Sequence, residues 1–156
     1  MKRAVLSMVF LAAGAGVVAA AEVAPEDVVY KDGAVEMSLT GAPGDPAAGR
    51  KVIGTKKLGN CVACHEISEM SDVPFHGKIG PSLDGVGSRY TEAQIRGIVA
   101  NAKHTFEGSM MPSFYKRTGY IRPGKAFTGK APDGELPPLL SAQQIEDVVA
   151  YLVTLK

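Results

Sequence analysis

An all-α domain is the fold class that this 156-residue sequence predicts. Two segments repeat apolar residues at helical spacing behind a capping box, a third opens on Asp-Pro, and only one short stretch alternates apolar with polar residues. The length fits one modest domain, and no internal repeat or second domain is visible.

The chain opens with Met1-Lys2-Arg3, the apolar run Ala4 to Val18 and the small residues Ala19-Ala20-Ala21. Residues 1–21 read as a secretory signal peptide cleaved after Ala21. A membrane span needs about 20 apolar residues, whereas this run is short and broken by Ser7, Gly14 and Gly16, so no membrane anchor is expected after cleavage. Cleavage removes Lys2 and Arg3 and leaves a nearly neutral chain, with no charge pattern suited to nucleic acid or an acidic membrane surface.

Residues 22–44 form an N-terminal arm, in which Val35, Met37 and Leu39 alternate with polar residues as in one short strand or extended segment. Asp45-Pro46 places an N-cap before a proline at the first helical position and predicts a helix from about Pro46 to Lys57. A Gly/Pro-rich loop is expected over 71–88. Thr91 with Gln94 forms a capping box, followed by Ile95, Ile98, Val99 and Ala102 on one helical face. Residues 104–140 read as a long loop, unusual in a compact domain unless it binds something. Ser141 with Gln144 caps a last helix carrying Ile145, Val148, Val149, Leu152 and Leu155.

Both cysteines stand in Cys61-Val62-Ala63-Cys64-His65. A redox disulfide would want βαβ units, and none is apparent. Zinc would want two more ligands at a regular spacing, which His76 and His104 do not supply. A c-type haem uses every residue of the motif: Cys61 and Cys64 as thioether anchors and His65 as the proximal iron ligand. A large apolar cofactor also suits a chain with no Trp, 18 Gly and 10 Pro, whose own core looks thin.

A six-coordinate iron needs a second ligand, and Met70, His76, His104, Met110 and Met111 are candidates. Met111 is the best placed, because Pro112 stiffens the backbone beside it; Met110 is expected to pack alongside. A methionine ligand raises the reduction potential.

Cys61 to His65, Gly80-Pro81-Ser82-Leu83-Asp84-Gly85, Met111-Pro112 and the helix of Ile145 to Leu155 together resemble the class I c-type cytochromes, over most of residues 45–156. The resemblance implies a cytochrome c fold with one covalently attached haem c. It also implies that the Pro81 carbonyl orients His65, that Leu83 packs on the haem, and that Arg89 stands where a basic residue often meets a haem propionate. The arm, the extra residues Lys56 to Asn60, the insertion after Pro112 and the terminal "EDVVAYLVTL" are similar to the SoxX branch, the small monohaem subunits of SoxAX sulfur-oxidation cytochromes.

That branch implies a periplasmic heterodimer with a larger SoxA-like cytochrome. The complex joins thiosulfate to a cysteine of a SoxYZ-like carrier and passes the electrons to a small c-type cytochrome. It acts as an L-cysteine S-thiosulfotransferase in which this chain supplies electron transfer and no catalytic residue. A free-standing electron shuttle shares every haem residue and is the alternative. The interface is to be sought in the arm and in residues 113–140. Phe114, Tyr115, Tyr120, Ile121, Phe127 and Leu136 have two roles open to them there: anchoring a partner or, more commonly for aromatics on loops, pinning the loop to the core or covering the haem. Lys116, Arg117, Arg122, Lys125 and Lys130 either steer an acidic cytochrome or an anion or belong to a solvated loop.

Overall fold

In the computed structural model, residues 21–120, 123 and 130–156 are described. The expected signal peptide, apart from Ala21, lies outside the described residues, as do Ile121, Arg122, Lys125 and Phe127. Four α-helices occur among the described residues: α1 Pro46–Gly54, α2 Val86–Arg89, α3 Glu92–Asn101 and α4 Ala142–Leu152. None of these helices is long and apolar enough to cross a membrane.

Each predicted cap is formed. Asp45 accepts the Ala47 N–H at 2.8 Å, and both halves of the Thr91–Gln94 and Ser141–Gln144 boxes are closed. α1 stops three residues before the expected Lys57. The Thr55 hydroxyl donates to the Lys51 carbonyl, and the Gly59 N–H turns back onto the Val52 carbonyl at 3.1 Å. The extra residues 56–60 therefore form a turn rather than longer helix. α2 was hidden in the expected 71–88 loop; its start at Gly85, with φ +69, gave the helical period no length in which to show.

α1 crosses α4 at Gly49. A Cβ at that position would stand 1.9 Å from the Asp147 carbonyl oxygen, a backbone atom that cannot swing aside. Gly49→Ala is expected to force the helices apart and to cost about 2–3 kcal/mol, as overpacking does, read as a lowered urea midpoint of the holoprotein. An unchanged midpoint would show that the crossing can relax. Around this contact Val52, Ile53, Ile145, Val148, Val149 and Leu152 close one core.

The arm contains no strand. Asp32 and Gly33 both take positive φ in a tight turn closed by an isolated Lys31–Ala34 bridge. Val35 and Leu39 are buried while Met37 is 72% exposed, so the alternation does not describe one sheet face. The backbone partners explain why: the Val35 N–H reaches the Ala93 carbonyl, the Leu39 N–H reaches Glu146 Oε1 at 2.8 Å, and the Val23 N–H reaches the Leu39 carbonyl. Arg96 completes this seam. Its Nε and Nη2 hold Glu146, Nη2 also holds Glu92, and Nη1 donates to the Val35 carbonyl at 3.0 Å.

Phe114 and Tyr115 of the insertion face inward. The Tyr115 hydroxyl donates to the Val23 carbonyl at 2.6 Å, and Arg117 grips Glu26 through two hydrogen bonds. Arm and insertion thus bind each other, and Phe114 and Tyr115 pin the loop to the core, one of the two roles open to them in the sequence.

Candidate haem-binding site

Asn60, in the left-handed region, leads into a 3₁₀ turn over Cys61–Ala63. The N–H groups of Cys64 and His65 both return to the Cys61 carbonyl. In such a turn side chains three apart lie one above the other, so Cys61 and Cys64 share a side. The two cysteines are unpaired and half-buried. Burial pushes the Cys61 thiol up to about 12. That is opposite to the lowered value of a redox-active cysteine. Among the described residues no three His, Cys, Asp or Glu side chains gather as a metal cluster.

His65 Nδ1 lies 2.7 Å from the Pro81 carbonyl oxygen. A carbonyl only accepts, so Nδ1 carries the proton and Nε2 is left with a free lone pair for a metal. Gly80 makes the approach possible, because a Cβ there would stand 2.3 Å from His65 Cε1.

The segment 80–84 runs beside 64–68 in a nearly constant register. The Gly80 N–H donates to the Cys64 carbonyl, Pro81 meets the His65 ring, the Leu83 N–H donates to the Glu66 carbonyl, and Asp84 accepts from Ser68. Leu83 is half-buried against the core. Arg89 donates from Nη1 to the Asp84 carbonyl and from Nη2 to the Ser82 carbonyl at 2.9 Å. It therefore fixes the loop that bears Pro81. The Ser68 hydroxyl and N–H hold the Asp84 carboxyl below the usual carboxylate range, so these bonds persist at neutral pH and are lost only on acidification through that lowered value.

The candidates for the second ligand separate by environment. Met70 is wholly buried in the protein core. His104 is exposed and stacks on Tyr30 with ring centroids 3.8 Å apart. His76 accepts the Ile67 N–H at Nδ1, and its Nε2 is sealed from solvent without a protein partner. Met111 is half-buried against the core, its carbonyl held by Lys103 and its N–H by Ser109 Oγ. Met110 does not pack beside it but is 86% exposed, since successive side chains of this non-helical loop diverge.

Cys61, Cys64 and His65 thus lie on one turn, with Pro81, Leu83 and Arg89 on the segment laced to it; Met111 sits on a separate loop. Sequence reasoning passed over Ser68 and Asp84. The Ser-x-Asp turn at 82–84 was visible as a local signal, but a register of 16 residues leaves no periodic trace.

The family model described as Cytochrome c matches residues 46–156. A chain of the crystal structure of SoxXA from P. pantotrophus is 63% identical, with a TM-score of 0.84, covering 87% of this chain and 99% of that one. No match was found among curated proteins.

Proposed function

The chain belongs to the cytochrome c family, which binds haem c covalently, and from this premise we propose that it is the monohaem electron-transfer subunit of a periplasmic SoxAX-type complex. The observation that carries the reading is 63% identity extending over 99% of a chain of a SoxXA structure. A SoxA-like cytochrome is its heterodimer partner. The complex joins thiosulfate oxidatively to a cysteine of a SoxYZ-like carrier, and the two electrons released leave through this chain to a small c-type cytochrome.

Haem supplies reversible one-electron chemistry at iron. The chain's own residues attach, orient and enclose it. Cys61 and Cys64 would be the thioether anchors, and His65 presents Nε2 because Pro81 occupies Nδ1. Met111 would be the second iron ligand: Met70 is buried in the core, His104 is stacked on Tyr30, Met110 is turned out to solvent, and His76 has Nδ1 taken by the Ile67 N–H. With both cysteines of the chain committed to attachment, no thiol remains to act as nucleophile, so the sulfur chemistry falls to the partners.

A subunit reading is favoured over a free shuttle because the likeness to a chain of the SoxXA structure runs over nearly all of that chain. Purification of the tagged protein from its native host should bring down a stoichiometric larger haem protein. A lone protein with one covalent haem would overturn the subunit reading in favour of the shuttle.

Met111→Ala is expected to abolish the weak absorption band of a methionine–iron bond and to lower the reduction potential. An unchanged band would assign the ligand to another residue.

A further inference from the structure

We propose that Asp84 is a positioning residue that fixes the strength of the hydrogen bond between His65 and the Pro81 carbonyl, and through it the reduction potential. The segments 64–68 and 80–84 are laced by hydrogen bonds whose partners stand 16 or 17 residues apart. At one end the Gly80 N–H meets the Cys64 carbonyl at 2.8 Å. At the other end Asp84 takes two bonds from a single residue, the Ser68 N–H at 2.8 Å on Oδ1 and the Ser68 hydroxyl at 2.6 Å on Oδ2. The Pro81 carbonyl lies between these ends.

Asp84 is also tied into its own strand of the lacing. Its N–H donates to Ser82 Oγ at 3.1 Å, Ser82 Oγ donates to the Glu66 carbonyl, and Arg89 holds the carbonyls of Ser82 and Asp84. The carboxylate touches neither His65 nor Pro81 in any of these bonds. It acts as a latch between the two segments, on the far side of Pro81 from the Gly80–Cys64 bond. Undoing it gives the Pro81 carbonyl freedom to move off the ring nitrogen.

The electronic consequence follows from the direction of the bond. Nδ1–H donating to a well-placed carbonyl makes the imidazole a stronger base and a better ligand. A stronger donor favours the oxidised metal, so a weakened bond raises the potential. The inference rests on the reading of His65 as an iron ligand.

The test compares holoproteins carrying Asp84→Ala, Asp84→Asn and Ser68→Ala. Asparagine keeps an acceptor for the Ser68 N–H and can donate to Ser68 Oγ, so it preserves the latch without the charge. Asp84→Ala should shift the oxidised-to-reduced equilibrium about threefold toward reduced, or about 30 mV for one electron. It should also speed solvent exchange of the His65 Nδ1–H at least threefold in the reduced protein. Ser68→Ala should fall between, and Asp84→Asn should stay near wild type.

Equal shifts in the alanine and asparagine variants, shrinking as salt is added, would reduce the effect to loss of an exposed charge and overturn the proposal. A lower melting temperature with unchanged potential and exchange would leave Asp84 a structural role only and overturn it as well. A wild-type spectrum without axial histidine would instead overturn the ligand reading itself, and this proposal with it.

Discussion

Replacing both Cys61 and Cys64 with serine is expected to leave no haem that survives acid extraction from the chain, read by intact-protein mass and by haem staining of a denaturing gel. The expectation follows from attachment chemistry. Each thioether needs a sulfur, and the chain has two cysteines in all, both on the turn that also carries His65. The single variant Cys64→Ser should retain at most one thioether, visible as a changed absorption maximum of the reduced pyridine adduct. Two intact attachments in that variant, or any covalent haem in the double variant, would sink the assignment. The loss should reach beyond redox activity, because a chain with no Trp and five Phe has little interior of its own to substitute for a bound porphyrin. The double variant is therefore expected to lose most of its cooperative thermal transition.

Glu146→Ala is the substitution expected to destabilise the protein chain most through its own contacts. Glu146 and Arg96 are each 4% exposed. Removing the carboxylate strips Arg96 of its buried partner and leaves the Leu39 N–H without an acceptor, while Glu92, 63% exposed, remains as a lesser counter-ion. Breaking a buried pair from one side costs about 3–5 kcal/mol, which should appear as a large drop in the urea midpoint. The arm should respond first: limited proteolysis ought to cut between residues 22 and 44 in the variant before any other region opens. Glu146→Gln, which keeps an acceptor for Leu39, should lie between wild type and alanine. A variant whose midpoint and cleavage pattern match the wild type would show that the seam contributes nothing measurable.

The turn of Cys61 to His65 and both capping-box helices were legible because each rests on short-range rules. Cys61 to His65 is a contiguous motif, and Thr91–Gln94 and Ser141–Gln144 each span one turn. What escaped the sequence are contacts between segments whose separation carries no period. The Arg96–Glu146 pair spans 50 residues and the Glu146–Leu39 bond 107. Glu146 and Asp147 stand outside the apolar stripe of α4 in the sequence, and both are buried. The arm misled in the opposite way: Val35, Met37 and Leu39 have the spacing of a strand, but no neighbouring strand exists among the described residues for them to pair with. For Phe114 and Tyr115 the sequence left two roles open, since an aromatic on a loop has the same appearance whether it faces a partner or its own core; both face the core.

The seam through Glu146 also fixes an order of events during synthesis. Leu39 emerges from the ribosome long before Glu146 exists, so its N–H has no native acceptor until nearly the whole chain is made. The same holds for Gly49, whose only place to settle is the backbone of Asp147. Contacts that bridge such distances carry a larger loop-closure cost and form late. The seam and the helix crossing therefore close only once α4 has been made.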